Sequence, residues 1–317
     1  MIEIGGTQVP SATRCQIEIP VARLPTQTMV SLPLIVVNGA LPGPRLWLSA
    51  AIHGDELNGV AIIHQVLQKI QPRHLRGTVI AVPIVNVFGF IEQSRYLPDR
   101  RDLNRSFPGS SRGSLAAQIA RLFMKEVVSR STHGIDLHTA SDHRVNYPQI
   151  RANLEDSQTC NCAKAFGAPV IIHSQTRDGS LRQAATKQGI PVLLYEAGES
   201  LRFNHYAIRV GVAGILRVMA SLEMYQPQAK SSRLPKEFRK TKWVRASRSG
   251  VLQLQVKLGE WVKSRQILGS ITDAFGETSF KLRAPCHGLV VSIQQNPLVN
   301  RGDAVVHLAT TDMANFP

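Results

Sequence analysis

Three groups able to bind metals or protons stand within four residues in His53-Gly-Asp-Glu56, at the end of the apolar run Trp47-Leu-Ser-Ala-Ala-Ile52. A buried strand that opens into a polar loop is how an open α/β sheet presents a site at the carboxyl ends of its strands. With Glu56 in the first turn of a helix, His53 and Glu56 could bind one ion. A helix N-terminus favours acids through its dipole and explains the same residues without an ion.

A second source of ligands is Asp136-Leu-His138, also at the end of a short apolar stretch. His53, Glu56 and His138 would make a His₂Glu set with one open position, the pattern of catalytic rather than structural zinc. Asp136 could orient a ligand imidazole, or simply make local hydrogen bonds at a strand end. Glu196, after Val192-Leu-Leu-Tyr195, suits a general base acting on a metal-activated water. Glu199 competes for that role three residues further out, and a capping or salt-bridged acid is the plainer reading of Glu196. Between these blocks, Arg95 could polarise a carbonyl. Asn104-Arg105 offers an amide and a guanidinium side by side for a carboxylate. Taken singly, such arginines are ordinary solvated charges. His64 falls on the apolar side of its helix and reads as a core histidine.

The elements that must position these residues follow from hydrophobic periodicity. Strands are expected over Cys15–Pro20, Met29–Val37, Leu46–Ile52, Gly77–Asn86, His133–Ala140, Pro169–His173 and Pro191–Glu199. Pro33 argues for an edge position or a bulge in the second of them. Helices are expected over Glu56–Ile70, Ser114–Arg130, Ser157–Phe166, Ser180–Gln188 and Phe203–Tyr225, with Ser114 as a cap. Glu92–Arg112 reads as a long charged loop anchored by Leu103 and Phe107, and the stretch from Ser141 to Glu155 as a second irregular loop. Strands alternating with helices imply an α/β fold, a mostly parallel or mixed sheet with helices on both faces. The character changes at Gln226. Residues 1–228 are expected to form the catalytic domain, 229–243 a basic linker or crossover, and 244–317 a small all-β domain.

The chain has 317 residues, 43% hydrophobic and 19% charged, which suits a large soluble core. The N-terminus has neither a basic start nor an apolar h-region, and no apolar run approaches the ~18 residues needed to span a bilayer. The four cysteines form no CxxC pair, so a cytoplasmic protein with reduced thiols is expected. The net charge of +15 would attract anionic partners and small acidic substrates. Nucleic acid is disfavoured, because aromatics are only 6% and no nucleic-acid motif is present.

Four blocks stand in order: His53-Gly-Asp-Glu56, Ser94-Arg-Tyr followed by Arg101-Asp-Leu-Asn-Arg-Ser-Phe-Pro-Gly109, Asp136-Leu-His138, and Tyr195-Glu-Ala-Gly-Glu199. Together they resemble the succinylglutamate desuccinylase/aspartoacylase family, which is similar to the zinc carboxypeptidases. The resemblance implies one Zn²⁺ per chain, bound by His53, Glu56 and His138, with Glu196 as general base and acid. It implies Arg95 near the scissile carbonyl, Asn104 and Arg105 gripping a substrate carboxylate, and Arg182 as a further substrate arginine. The implied activity is hydrolysis of an amide bond in a small, acidic N-acyl amino acid. The extra residues between Arg95 and Asp102 resemble a broader branch of the family than its two named enzymes.

From Val244 onward, Gly250, Val256-Lys-Leu-Gly-Glu-Trp-Val262, Ala284-Pro-Cys-His-Gly288 and Gly302-Asp303 resemble a barrel-sandwich module of the biotinyl/lipoyl type. The place of a carrier lysine falls near Glu277, and Lys281 is not in the expected spot. The module therefore reads as structural, capping the site or mediating assembly into a homo-oligomer. Two rivals remain at this level: a carboxypeptidase-like metallopeptidase, and a basic anion- or nucleic-acid-binding protein with a decayed site.

Overall fold

A computed structural model describes residues 1–141, 143–226, 234–313 and 316. At its centre four strands run parallel in the order Arg76–Val82, Leu41–Ala50, His133–Ala140, Val192–Glu199. Antiparallel strands extend this block on both sides. Met29–Asn38 and then Thr13–Arg23 follow beyond Arg76–Val82, and Arg144–Ala152 follows beyond Val192–Glu199. Pro33 lies outside the short ladder between Ile35–Asn38 and Thr78–Ala81. Around Pro33 the strand is paired on one side only, to Thr13–Arg23, so this stretch is locally an edge and can accommodate a residue with no N–H.

Alternation along the strands sorts side chains to two faces. Leu46, Leu48, Ala50, Leu137 and Tyr195 pack into one core with the helices Asn58–Lys69, Ser157–Phe166 and His205–Ser221. Ile62, Ile63, Val66 and Leu67 are the buried stripe of the first helix; cutting such a side chain to Ala costs about 2–5 kcal/mol. Trp47, Ile80 and Val192 point the other way, into a second core with Leu115–Glu126 and Leu181–Thr186. Ser114 caps its helix as expected, its Oγ accepting from the Ala117 N–H. His64 departs from expectation. It is exposed, because Ile62, Ile63, Val66 and Leu67 fill the buried stripe and leave it on the outer face.

The second irregular loop is also corrected, since Arg144–Ala152 is a nine-residue strand. One edge pairs with Val192–Glu199, and the other is shared between two partners. Arg144–Asn146 pair with Gly288–Gln294, and Gln149–Ala152 pair with Val170–His173. Pro148 stands between the two ladders.

The expected β runs after Val244 are present. Gly250–Leu254, Ile267–Thr272, Ser279–Arg283 and Leu298–Val299 form a separate antiparallel sheet. Gly288–Gln294, Ala304–Thr310 and Thr241–Arg245 instead join the large sheet through Arg144–Asn146. The module has its own core around Leu252, Val262, Leu268, Val290 and Val306. A small second cluster, including Val170, Phe238, Leu289 and Val291, packs between module and main body. Residues 229–233 of the expected linker lie outside the described residues. The rest of that linker contains the strands Lys236–Phe238 and Thr241–Arg245. Glu277 sits in the turn between Ile267–Thr272 and Ser279–Arg283, its N–H donating to Asp273.

Candidate active site

The face carrying Trp47 also carries the site. Asp136, His138 and Glu196 alternate with Leu137 and Tyr195, which point into the opposite core. His53 and Glu56 leave the end of the neighbouring Leu41–Ala50 strand. Gly54 makes this exit possible, because a Cβ there would lie 1.9 Å from the Gly89 carbonyl carbon. The helix begins at Asn58, two residues later than expected. Glu56 lies in a turn instead, its N–H donating to the His53 carbonyl at 3.1 Å.

That turn places the Glu56 carboxylate between two imidazoles. Oε1 lies 2.7 Å from His53 Nδ1 and Oε2 lies 2.8 Å from His138 Nδ1. Ligand atoms of His53, Glu56 and His138 all fall within 4.8 Å of one another, and all three residues are buried. The outer nitrogen of each ring meets a separate aspartate. His138 Nε2 is 2.8 Å from Asp136 Oδ2, and His53 Nε2 is 3.2 Å from Asp102 Oδ1. Asp136 is itself held by the Ser49 hydroxyl at 2.8 Å. Burial alone would raise the Glu56 pKa, but His53 and His138 hold it well below the usual carboxylate range. Burial alone would lower the His138 pKa, yet Asp136 and Glu56 raise it well above an ordinary imidazole. Three carboxylates around two rings thus favour positive charge at the Nδ1 atoms. A dication fits that donor set, with Nδ1, Nδ1 and a carboxylate inward and each Nε2 tied outward.

Glu196 is the register partner of His138 in the parallel ladder, and its Oε2 accepts from Asn146 Nδ2 at 2.8 Å. The strand breaks register just past it. Gly198 has φ +76°, and a Cβ there would lie 2.3 Å from Asn58 Nδ2. Asn58 ties the two halves of the site together: it donates to the Ala197 carbonyl and accepts from the Asn204 N–H. Glu196 lines the cavity with His53, Glu56 and His138, whereas Glu199 does not.

The long loop is ordered by the buried Leu97, Leu103 and Phe107. Arg95 reaches Asp102 Oδ2 at 2.9 Å and Glu56 Oε1 at 3.4 Å. Asn104 accepts from the Leu181 N–H through Oδ1 at 2.9 Å, and Arg105 donates to the Asn104 carbonyl. Arg182 is buried. Its guanidinium donates to the Ser174 and Gln175 carbonyls and to the Ser174 hydroxyl. Burial and the neighbouring Arg151 push its pKa down to about 10. Arg95, Asp102, Asn104, Arg105 and Arg182 border one cavity of about 410 Å³ with His53, Glu56, His138 and Glu196.

The structure adds residues that the sequence reading did not assign: Asp102 behind His53, Asn146 on Glu196, Asn58 between the ligand turn and the Glu196 strand, and Arg151 and Arg177 in the cavity wall. Asp102 was legible only as part of its loop. Asn146 and Arg151 were hidden because their strand looked like a loop.

Residues 42–222 match the succinylglutamate desuccinylase/aspartoacylase catalytic domain. The chain belongs to that family. A curated relative, the N-alpha-acetyl-L-2,4-diaminobutyric acid deacetylase of Halomonas elongata, is 27% identical over 303 residues, covering 88% of this chain and 86% of the relative. The crystal structure of a succinylglutamate desuccinylase/aspartoacylase from Rhodobacter sphaeroides has a TM-score of 0.84 and 26% identity over 93% of this chain and 95% of that one. The product-bound ectoine utilization protein EutE of Ruegeria pomeroyi shares the fold, with a TM-score of 0.85 and 24% identity over 96% of this chain and 98% of that one.

Proposed function

We propose that this protein is a zinc-dependent deacylase that hydrolyses the amide bond of a small, acidic N-acyl amino acid. The observation that carries the reading is the buried His53–Glu56–His138 cluster with Glu196 as the register neighbour of His138 in one arginine-lined cavity. His53, Glu56 and His138 would hold one Zn²⁺, which supplies Lewis-acid polarisation of the carbonyl and a more acidic water. Glu196, oriented by Asn146, accepts the proton of the attacking water and returns it to the leaving nitrogen. Arg95, anchored on Asp102, stabilises the charge that develops on the carbonyl oxygen. Asn104, Arg105 and Arg182 hold the substrate carboxylate, which fixes the amide over Glu196.

The Halomonas relative supports an N-acetyl amino acid as the first substrate to try. The residues from 244 onward form a separate β domain in this reading, one that borders the site and supports self-assembly. The free cysteines support a cytoplasmic location, and no helix among the described residues is long and apolar enough to cross a membrane. The experiment is metal analysis of the purified protein, followed by a screen of N-acetyl and N-succinyl amino acids beside short peptides. Stoichiometric zinc with release of free amino acid from the N-acyl compounds is expected. Cleavage of peptides alone would move the protein to the metallopeptidases. A metal-free chain with steeply salt-dependent polynucleotide affinity would make it a binding protein.

A further inference from the structure

The Arg144–Ala152 strand presents two different surroundings on either side of Glu196. Gln149 is the register partner of Glu196 and Arg151 that of Leu194, while Asn146 lies opposite Gly198. Towards Arg151 the cavity wall is cationic, with Arg177 and Arg182 beside it. Towards Asn146 the wall is lined by Arg144 of the same strand, and by Ser292 and Trp243 on the strands that follow it in the sheet.

Trp243 is not a loosely placed surface ring. Its indole lies flat on the His307 imidazole, with centroids 4.1 Å apart and planes 4° from parallel. The two residues are register partners on adjacent strands. The Arg144 guanidinium carbon stands 5.4 Å from the indole centroid, and Arg144 Nε donates to the Ala304 carbonyl. His307 is 3% exposed, and neither ring nitrogen has a hydrogen-bond partner. Burial, with Arg151 and Arg144 nearby, pushes its pKa down to about 3. The ring is therefore a neutral, flat platform. It makes no polar contact, and what it offers its neighbour is a plane that fixes the indole at the cavity wall.

We propose that Trp243 limits the length of the acyl group this site accepts, and that His307 is the positioning residue that holds it there. The inference rests on the deacylase reading. With the substrate carboxylate on Asn104, Arg105 and Arg182 and the scissile amide at Glu196, the acyl half extends towards Asn146 and meets the indole. The site then takes short acyl groups, and chain atoms beyond a few carbons collide with a wall that its stack keeps from swinging aside.

The test is kcat/KM for one amino acid carrying acetyl, butyryl or hexanoyl groups, with zinc-loaded wild type, Trp243→Ala, His307→Ala and His307→Phe. A single methylene in an apolar pocket changes kcat/KM by roughly tenfold or more. Trp243→Ala should therefore raise the hexanoyl-to-acetyl ratio by at least about tenfold. His307→Ala should shift the ratio in the same direction, and His307→Phe, which keeps a flat ring, should restore the wild-type ratio. Trp243→Leu stands in if the alanine variant does not fold. An unchanged ratio with a general loss of activity overturns the proposal, because a merely structural tryptophan would give that result. If wild type cleaves no acyl amino acid, the deacylase reading fails separately. Binding of the same acyl series is then measured by titration calorimetry, with Trp243→Phe as the reference. Tighter hexanoyl binding by Trp243→Ala alone sustains the length limit; identical affinities in wild type and variant overturn it.

Discussion

His138 and Glu196 are register partners on adjacent parallel strands, so one backbone ladder sets the spacing between a proposed metal ligand and the proposed proton carrier. The separation is not left to a flexible loop. Tyr195, the residue before Glu196, is buried on the opposite face and donates its hydroxyl hydrogen to the Ala207 carbonyl at 2.7 Å, which pins the strand to the following helix. Glu196→Gln keeps this geometry and the Asn146 contact site but removes the base. Turnover should fall by roughly 10²–10⁴-fold with zinc content unchanged. Near-normal kcat with full zinc would assign the base elsewhere.

Asp136 and Asp102 each back one imidazole, and both should tune metal affinity without touching the metal. Asp136→Asn and Asp102→Asn are expected to weaken zinc binding by about 10–100-fold. His138→Ala should lose the metal outright. Competition against a chromophoric chelator measures all three. Equal affinities in wild type and both asparagine variants would show that the aspartates serve only local structure. Asp102 also holds Arg95 at 2.9 Å, so its variant should lower kcat as well, which Asp136→Asn should do less.

In the proposed site, substrate binding would divide among arginines with different tasks. Arg105 is exposed and bonded within its own loop, so Arg105→Ala should mainly raise KM, by about 10-fold or more, if it grips the substrate carboxylate through charge-assisted bonds. Arg182 also holds the Ser174–Gln175 backbone. Arg182→Ala is therefore expected to destabilise the fold as well as raise KM. A thermal-melt comparison separates the two arginines. A variant at Arg105 that lowers kcat while leaving KM alone would contradict the binding role.

His307 gives a pH signature in stability. Its folded pKa is about 3 against an ordinary value of 6.5. Between those values the unfolded chain binds the extra proton, so stability rises with pH there. The contribution is fully present above about pH 6.5 and is lost as pH falls towards 3, with a slope of at most about 1.4 kcal/mol per pH unit. Denaturant midpoints between pH 7 and 4 should fall more shallowly for His307→Phe than for wild type. Parallel curves would mean that the imidazole protonates without leaving its stack.

Much of this architecture was legible in the sequence because it rests on local signals. The buried parallel strands are continuous apolar runs, the helices carry apolar stripes and caps, and the chemistry-bearing residues follow the ends of those runs. The order of His53-Gly-Asp-Glu56, the Arg95–Arg105 loop, Asp136-Leu-His138 and Glu196 points to the family on sequence alone. The same local rules misplaced His64, because an apolar stripe broad enough to include it is narrower in the packed helix.

What the sequence alone could not decide depends on contacts between distant segments. The Arg144–Ala152 strand carries Asn146, Gln149, Arg151 and Pro148, and reads as a polar loop. Asn146 and Arg151 line the cavity instead of facing open water, and Pro148 falls between two partial ladders. That strand joins the C-terminal module to the catalytic sheet, so the presence of Trp243 in the cavity wall could not be read from composition. At the opening block the division is similar. His53 and Glu56 were nameable from their spacing. Only the tertiary structure turns the Glu56 carboxylate inward between two Nδ1 atoms, with an aspartate behind each ring, because His138 lies 82 residues from Glu56 and Asp102 lies 49 residues from His53.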